Sequence, residues 1–365
     1  MYTLRLRLQR HPAFWINVFL AVFIIFLSYA ERLLLLEGTF YSFPDERFFA
    51  NAATFPFSEI IVQHSRYLIF VLFSRVTIVS FGEWALKLQS VPFGLLTGLL
   101  LYDATRKINL LYFFPILFGY FLMLSTLMLR DAIIIFFNLF FLLNISRSKN
   151  SISLLWYAIA VAFFSFIRPE FAYVYILIFT WLTATFFLKQ NVFLRFILPS
   201  VLVTVVFVVA IDLVVSVSDF FYPDRAITYL SNRDVELQRL WFLPENLSAL
   251  IRQIVTPIPT SLMRRLVSQE MGDGLIIKDI FRVLLMTTFY IMTVSLAVKP
   301  RRAFSVLSKN YFIIYLLIFS VIVTIAYAIF GDGGGSTRNK VYPYLLIFCL
   351  FFLTYEFKVK SLVSY

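Results

Sequence analysis

Two carboxylates stand side by side in the run Phe43-Pro44-Asp45-Glu46-Arg47-Phe48-Phe49. Such a pair can act as a general base, because a second negative charge and a low-dielectric surface raise a carboxylate's affinity for a proton. The same residues also read as a solvated acid pair beside an arginine. A second candidate is Arg130-Asp131, at a short turn between two apolar stretches. Asp131 begins the second stretch, where a carboxylate also complements a helix dipole, so a plain N-terminal cap is an alternative. A third is Arg168-Pro169-Glu170, again at a tight turn, which reads as an anion contact or as an interfacial salt bridge.

The last candidate is cationic. In Gly331-Asp332-Gly333-Gly334-Gly335-Ser336-Thr337-Arg338-Asn339-Lys340 the glycines can turn backbone N–H groups toward a phosphate, and Arg338 and Lys340 add charge. The order of residues is not that of a Walker A loop. A flexible connector is the other reading.

The elements that must position these groups are membrane helices by composition. Apolar residues make up 61% of the 365 positions and charged residues 14%, against roughly 45–50% and 25% in a soluble domain. Lipid must cover part of such a chain. The 45 Phe and 20 Tyr read as lipid-facing surface rather than as a cofactor box. The single cysteine, Cys349, excludes an intrachain disulfide, and two histidines exclude a His-rich metal site. A net charge of +12 would suggest nucleic acid in a soluble protein, but here the basic residues fall in short clusters between apolar runs. That is a topology signal, and no nucleic-acid partner is expected.

Stretches long enough to span lie at 14–30, 84–102, 110–128, 132–145, 154–167, 171–188, 196–215, 280–298, 311–330 and 341–356. The stretch 67–81 carries Arg75 in its middle, a cost of about 2.5–3.5 kcal/mol at a bilayer centre. If it does not cross, every alternate loop is basic: Arg5, Arg7 and Arg10; Arg106 and Lys107; Arg147 and Lys149; Lys189 and Arg195; Lys299, Arg301, Arg302 and Lys309; Lys358 and Lys360. The expectation is one all-α transmembrane domain over 1–365, with ten spans and both termini cytoplasmic. The segment 67–81 then lies along or dips into the outer leaflet, with Arg75 directed at headgroups or at the acidic pair. The first outer loop, 31–83, is expected to hold amphipathic or re-entrant helices. A large outer loop, 216–279, contains Arg252, Arg264 and Arg265 beside Trp241, Pro244, Pro257 and Pro259. Ser28-Tyr29-Ala30 loosely matches a signal-peptidase site, but the first helix is expected to stay. All the candidate acids and their arginines fall on the outer side.

This placement resembles the GT-C superfamily, polytopic glycosyltransferases that use polyprenyl-linked sugars. The residues that carry the likeness are Asp45-Glu46 with Phe48 and Phe49, the run Phe81-Gly82-Glu83-Trp84-Ala85-Leu86-Lys87 where relatives usually have Arg for Lys87, the further acid Asp131, and the outer elements Arg168-Pro169-Glu170 and 338–343. The resemblance is moderate over the first 190 residues and weak beyond. It implies a GT-C-like fold and sugar transfer from a polyprenyl phosphate or diphosphate to a glycan acceptor. The reaction would take place at the outer face of a bacterial inner membrane, during O-antigen or capsule assembly. In that scheme Asp45 is the base, and Glu46 and Asp131 orient the acceptor. Arg168, Arg338 and Lys340 stabilise the departing phosphate, with Arg75, Arg130 and Glu170 as further binding groups. A divalent cation, Mg or Mn, would be held by Asp45 and Asp131 if by any residue. A Wzy-type polysaccharide polymerase is the near alternative, and a transporter or flippase for a lipid-linked sugar is the third.

Overall fold

The computed structural model describes residues 12–35, 44–63, 67–126, 130–148, 151–168, 171–179, 276–330 and 341–355. Among these residues every regular element is a helix. In chain order they are α1 (Pro12–Leu35), α2 (Pro44–Thr54), α3 (Phe57–Gln63), α4 (Leu68–Phe81), a 3-10 turn (Glu83–Lys87), α5 (Val91–Thr105), α6 (Ile108–Leu117), α7 (Gly119–Ser125), α8 (Asp131–Arg147), α9 (Ser151–Ser165), α10 (171–179), α11 (Ile276–Val298), α12 (Pro300–Lys309), α13 (Tyr311–Phe330) and α14 (Val341–Thr354). One continuous helical run among the described residues, Glu83–Thr105, is long and apolar enough to cross a membrane. The pair Val283–Val298 with Pro300–Lys309 qualifies only if taken as one span, and it is bent by 99°. The stretch 196–215 and the expected loop 216–279 as far as residue 275 lie outside the described residues, and 276–279 form the first turn of α11.

α8 sets the scale. Its 17 residues rise about 25 Å at 1.5 Å per residue. Asp131 is thereby at one end of the bundle and Arg147 at the other. α5 lies beside α8 and reaches Arg147 through Asp103. α9 returns antiparallel, so Ile167 and Arg168 come back to the Asp131 end. α13 packs on α8, and α14 packs on α13 and α11.

The core is built from aromatic rings at helical spacing. Phe114 and Phe118 stack at 5.2 Å, and Phe348 meets Phe118 edge-on at 4.9 Å. Phe164 stacks on Tyr175 at 5.4 Å, and Phe171 meets Phe319 edge-on at 5.2 Å. Close approach in the middle depends on two glycines four residues apart in α5. A methyl group on Gly94 would sit 2.9 Å from the Ser125 hydroxyl, and one on Gly98 would sit 2.7 Å from a ring carbon of Phe114. Small residues at that spacing let two helix backbones meet.

The structure departs from the sequence expectation at four places. The stretch 110–128 is two helices, α6 and α7, broken at Phe118. Pro115 has no N–H to give and leaves the carbonyl four residues back unmatched. That carbonyl belongs to Leu111, and it accepts a 2.7 Å hydrogen bond from the buried amide of Asn17 in α1. The stretch 84–102 begins as a 3-10 turn before Pro92 starts α5 in earnest. The basic segment 299–309, read as a loop, is the helix α12. It bends sharply from α11 and lies against α13 and α14 through Ala303, Val306 and Leu307. Finally, the acidic pair belongs to a helix and not to a loop.

Between α1 and α5 the described residues are mostly helical, in α2, α3 and α4. α4 has 14 residues, a length of about 21 Å, and both of its ends are tied to the Asp131 end of the bundle. At its start Ile69 N–H donates to the Phe166 carbonyl at 3.2 Å. Beyond its end, after Gly82 turns the chain with φ +84°, Lys87 carbonyl accepts from Tyr29 at 2.5 Å. The adjacent Ser28 hydroxyl meets that of Thr126 at 3.0 Å. By Lys87 the chain that follows α4 is back at the end from which α4 started.

Candidate functional site at the arginine–aspartate end

Asp131 opens α8, where the dipole favours a carboxylate. Arg168 follows the last turn of α9, and its N–H still donates to the Phe164 carbonyl at 2.8 Å. Because α8 and α9 are antiparallel neighbours, the two side chains meet: Arg168 Nη1 lies 3.6 Å from Asp131 Oδ1, with exposures of only 16% and 14%. An ion pair this sheltered depends on both partners, since either one alone would be a charge with little water.

Arg130 does two further things. Its Nη1 donates to the Ile167 carbonyl at 2.5 Å, tying the start of α8 to the end of α9. Its guanidinium lies over the ring of Tyr67, 4.4 Å from the centroid. Tyr67 in turn meets Phe48 and Phe49 of α2 edge-on at 5.7 and 5.5 Å. Phe49 is buried and packs on Phe70 of α4 at 4.7 Å. α2 is thus fixed to the cluster by its aromatic pair.

Asp45 and Glu46 occupy the first turn of α2, directly after Pro44. Proline at the first helical position followed by acids is a helix start, which is what the loop reading missed. Their backbone lies about one turn from Phe48 and Phe49. Arg75, expected to face headgroups or the acidic pair, instead donates to the Phe55 carbonyl just past the end of α2. It is a brace for α2 from α4.

The remaining candidates approach by connectivity. Glu170, Arg338 and Lys340 lie outside the described residues. Glu170 immediately precedes Phe171, whose ring sits under the Arg168 guanidinium at 5.2 Å. Phe171 also meets Tyr342 edge-on at 5.6 Å. Lys340 and Arg338 precede Tyr342 by two and four residues, and successive Cα atoms are about 3.8 Å apart. The glycine-rich segment therefore joins the bundle at this end.

Sequence reasoning missed Tyr67 and Tyr342 as members of the cluster. Their only signal was position, an aromatic residue next to a candidate turn. Just beneath the cluster Tyr175 donates to the Asn138 side-chain oxygen at 2.6 Å, a buried polar pair between α10 and α8. Among the described residues no three His, Cys, Asp or Glu side chains converge as a metal site would require. Asp131 already has a cation in Arg168.

Comparison of the chain with family models, with curated proteins and with solved structures finds no match.

Proposed function

We propose that the chain is a polytopic membrane glycosyltransferase that moves a sugar from a polyprenyl-linked donor to a glycan acceptor at the arginine–aspartate end. The observation that carries this reading is convergence. Arg130, Asp131 and Arg168 meet at the end where α2 opens with Asp45-Glu46, and Tyr67 links the two groups. The opposite end carries the basic clusters of Arg106, Arg147 and Arg302. The separation matches an inside and an outside face, with about ten spans between them.

The membrane supports the same reading from the outside of the bundle. α1 turns Trp15, Phe19, Phe23 and Phe26 outward, and α11 turns Ile280, Ile291, Val294 and Val298 outward. Apolar rows of this extent need cover other than water.

In the proposed reaction Asp45 takes the proton of an acceptor hydroxyl as its oxygen bonds to the anomeric carbon. The bond from that carbon to the carrier phosphate breaks, and the electron pair leaves on the phosphate oxygen. Arg168, Arg338 and Lys340 stabilise that charge, since preplaced cations in a low-dielectric site act strongly on a developing anion. Glu46 orients the acceptor. A divalent cation would be held by Asp45 and Asp131, the second of which is paired with Arg168.

The test is the lipid-linked glycan made by cells that lack the chain, with and without the Asp45→Asn form. Transferase activity leaves a glycan short of one sugar, and Asp45→Asn does not restore it. Single repeat units on the carrier would identify a polymerase instead. A complete glycan retained on the wrong face would identify a transporter. Normal product from Asp45→Asn at normal abundance overturns the assignment of the base.

A further inference from the structure

At the end opposite the candidate site, where α12 crosses the bundle, a cavity of about 610 Å³ opens between α8, α12 and the start of α13. Three cationic side chains line it, Arg147, Arg302 and Lys309, and no carboxylate does among the described lining residues. Asp103 stands beside it and pairs with Arg147 at 2.5 Å and with Arg106 at 2.8 Å. Among the described residues, Asp103 is thus shared by two arginines, while three cationic side chains line the cavity. Its other wall is apolar, from Leu143, Phe312 and Leu353.

Cations on one wall and hydrocarbon on the other fit a molecule with both characters. α12 fits the same surroundings. It leaves α11 at 99° and so runs across the end of the bundle instead of through it. Its apolar residues Ala303, Val306 and Leu307 face the helices, Phe304 is 65% exposed, and Arg301 and Lys309 are exposed beside it. A helix of this kind lies in a headgroup layer, with its basic residues at the level of lipid phosphates.

We infer that this cavity binds the phosphate headgroup of an anionic phospholipid of the inner leaflet, with the acyl chains along the Leu143, Phe312 and Leu353 wall. The inference rests on the membrane part of the proposed function and not on the sugar-transfer part. Each basic residue near an anionic headgroup strengthens binding about fivefold, so two of the lining residues together account for about 25-fold.

The experiment uses the full chain in an uncharged detergent, titrated with phosphatidylglycerol, with phosphatidylcholine of the same acyl chains, or with inorganic phosphate. Bound lipid is counted by native mass spectrometry. The expected result is a preference for phosphatidylglycerol that falls about 25-fold in Arg302→Gln/Lys309→Gln and about fivefold in Lys309→Gln alone. Arg301→Gln, on the same helix but outside the cavity, should stay within about twofold of the parent. Equal binding of the two lipids overturns the inference, as does an equal loss in Arg301→Gln. Displacement of phosphatidylglycerol by millimolar inorganic phosphate would make the cavity a free-phosphate site and also overturn it. Release of the chain from membranes by alkaline carbonate, without detergent, would defeat the membrane reading itself. A chain that stays in the membrane yet does not distinguish the lipids defeats the cavity assignment alone.

Discussion

The bundle contains the same chemical pair at its two ends, and the pairs differ in kind. At one end Arg147 touches Asp103 at 2.5 Å, with exposures of 38% and 25%. At the other Arg168 stands 3.6 Å from Asp131, with exposures of 16% and 14%. The shorter contact is the weaker constraint. Water and a second arginine already satisfy Asp103, and exposed pairs contribute about 0–1 kcal/mol. Asp131 and Arg168 are far less exposed, with the Phe171 ring under the Arg168 guanidinium, and breaking a sheltered pair from one side costs about 3–5 kcal/mol. Burial, not distance, separates a pair that positions a site from a pair that tolerates change.

The sharpest test of this contrast is whether the ends face different compartments. With Cys349 replaced by serine, cysteines introduced at 45 and at 301 should label from opposite sides of sealed vesicles, an all-or-none outcome. Labelling of both from one side breaks the comparison and the proposed function with it.

Chemistry gives the next largest contrast. Asp45→Asn should lower the transfer rate by about 10²–10⁴, measured as product per mole of folded protein, whereas Asp103→Asn should leave it within about twofold. Comparable losses in both would mean that the acidic pair has no special place in the reaction.

Stability separates the ends further. Arg168→Leu should lower unfolding free energy in detergent by about 3–5 kcal/mol, and Arg147→Leu by under about 1 kcal/mol. A double-mutant cycle with Asp131→Asn should return part of the Arg168 cost, because the two opposite charges are then removed together. Equal costs at the two arginines would refute the argument from burial.

The smallest effect lies between the ends. Arg75→Gln removes a guanidinium from the Phe55 carbonyl and should cost about 1–2 kcal/mol. The loss should appear as faster proteolysis within α2 before the rest of the bundle opens. Loss of catalysis without loss of protection would place Arg75 in the reaction instead of in the brace.

Much of this architecture could be read from residue order. Helix 311–330 appears with the expected bounds, and the basic clusters around Arg106, Arg147 and Arg302 do gather at the end away from Asp131. Hydropathy length and charge alternation are strong local signals for these features. The misreadings came from weaker local signals. A run of apolar residues hides the break at Phe118, because periodicity does not register a missing N–H. α12 was passed over because ten residues with five polar side chains read as a loop, although their apolar members recur at helical spacing. The acids at 45 and 46 were assigned to a loop although Pro44 opens a helix. The site itself was legible as a set of residues on one side, but its wiring was not. That Arg130 would choose the Tyr67 ring and Arg75 the Phe55 carbonyl depends on how α2 and α4 pack, and no spacing along the chain encodes that.

The bond from Asn17 to the Leu111 carbonyl also sets an order of events during synthesis. Its partners are 94 residues apart in the chain, and those of the Ser28–Thr126 contact are 98 apart. At about 5–20 residues per second, α1 waits roughly 5–20 seconds before the proline-broken helix that needs its amide exists. During that interval the Asn17 carboxamide lacks the Leu111 carbonyl that binds it in the folded chain. Among the described residues, α1 thus acquires these two cross-links only when α6 and α7 have been made.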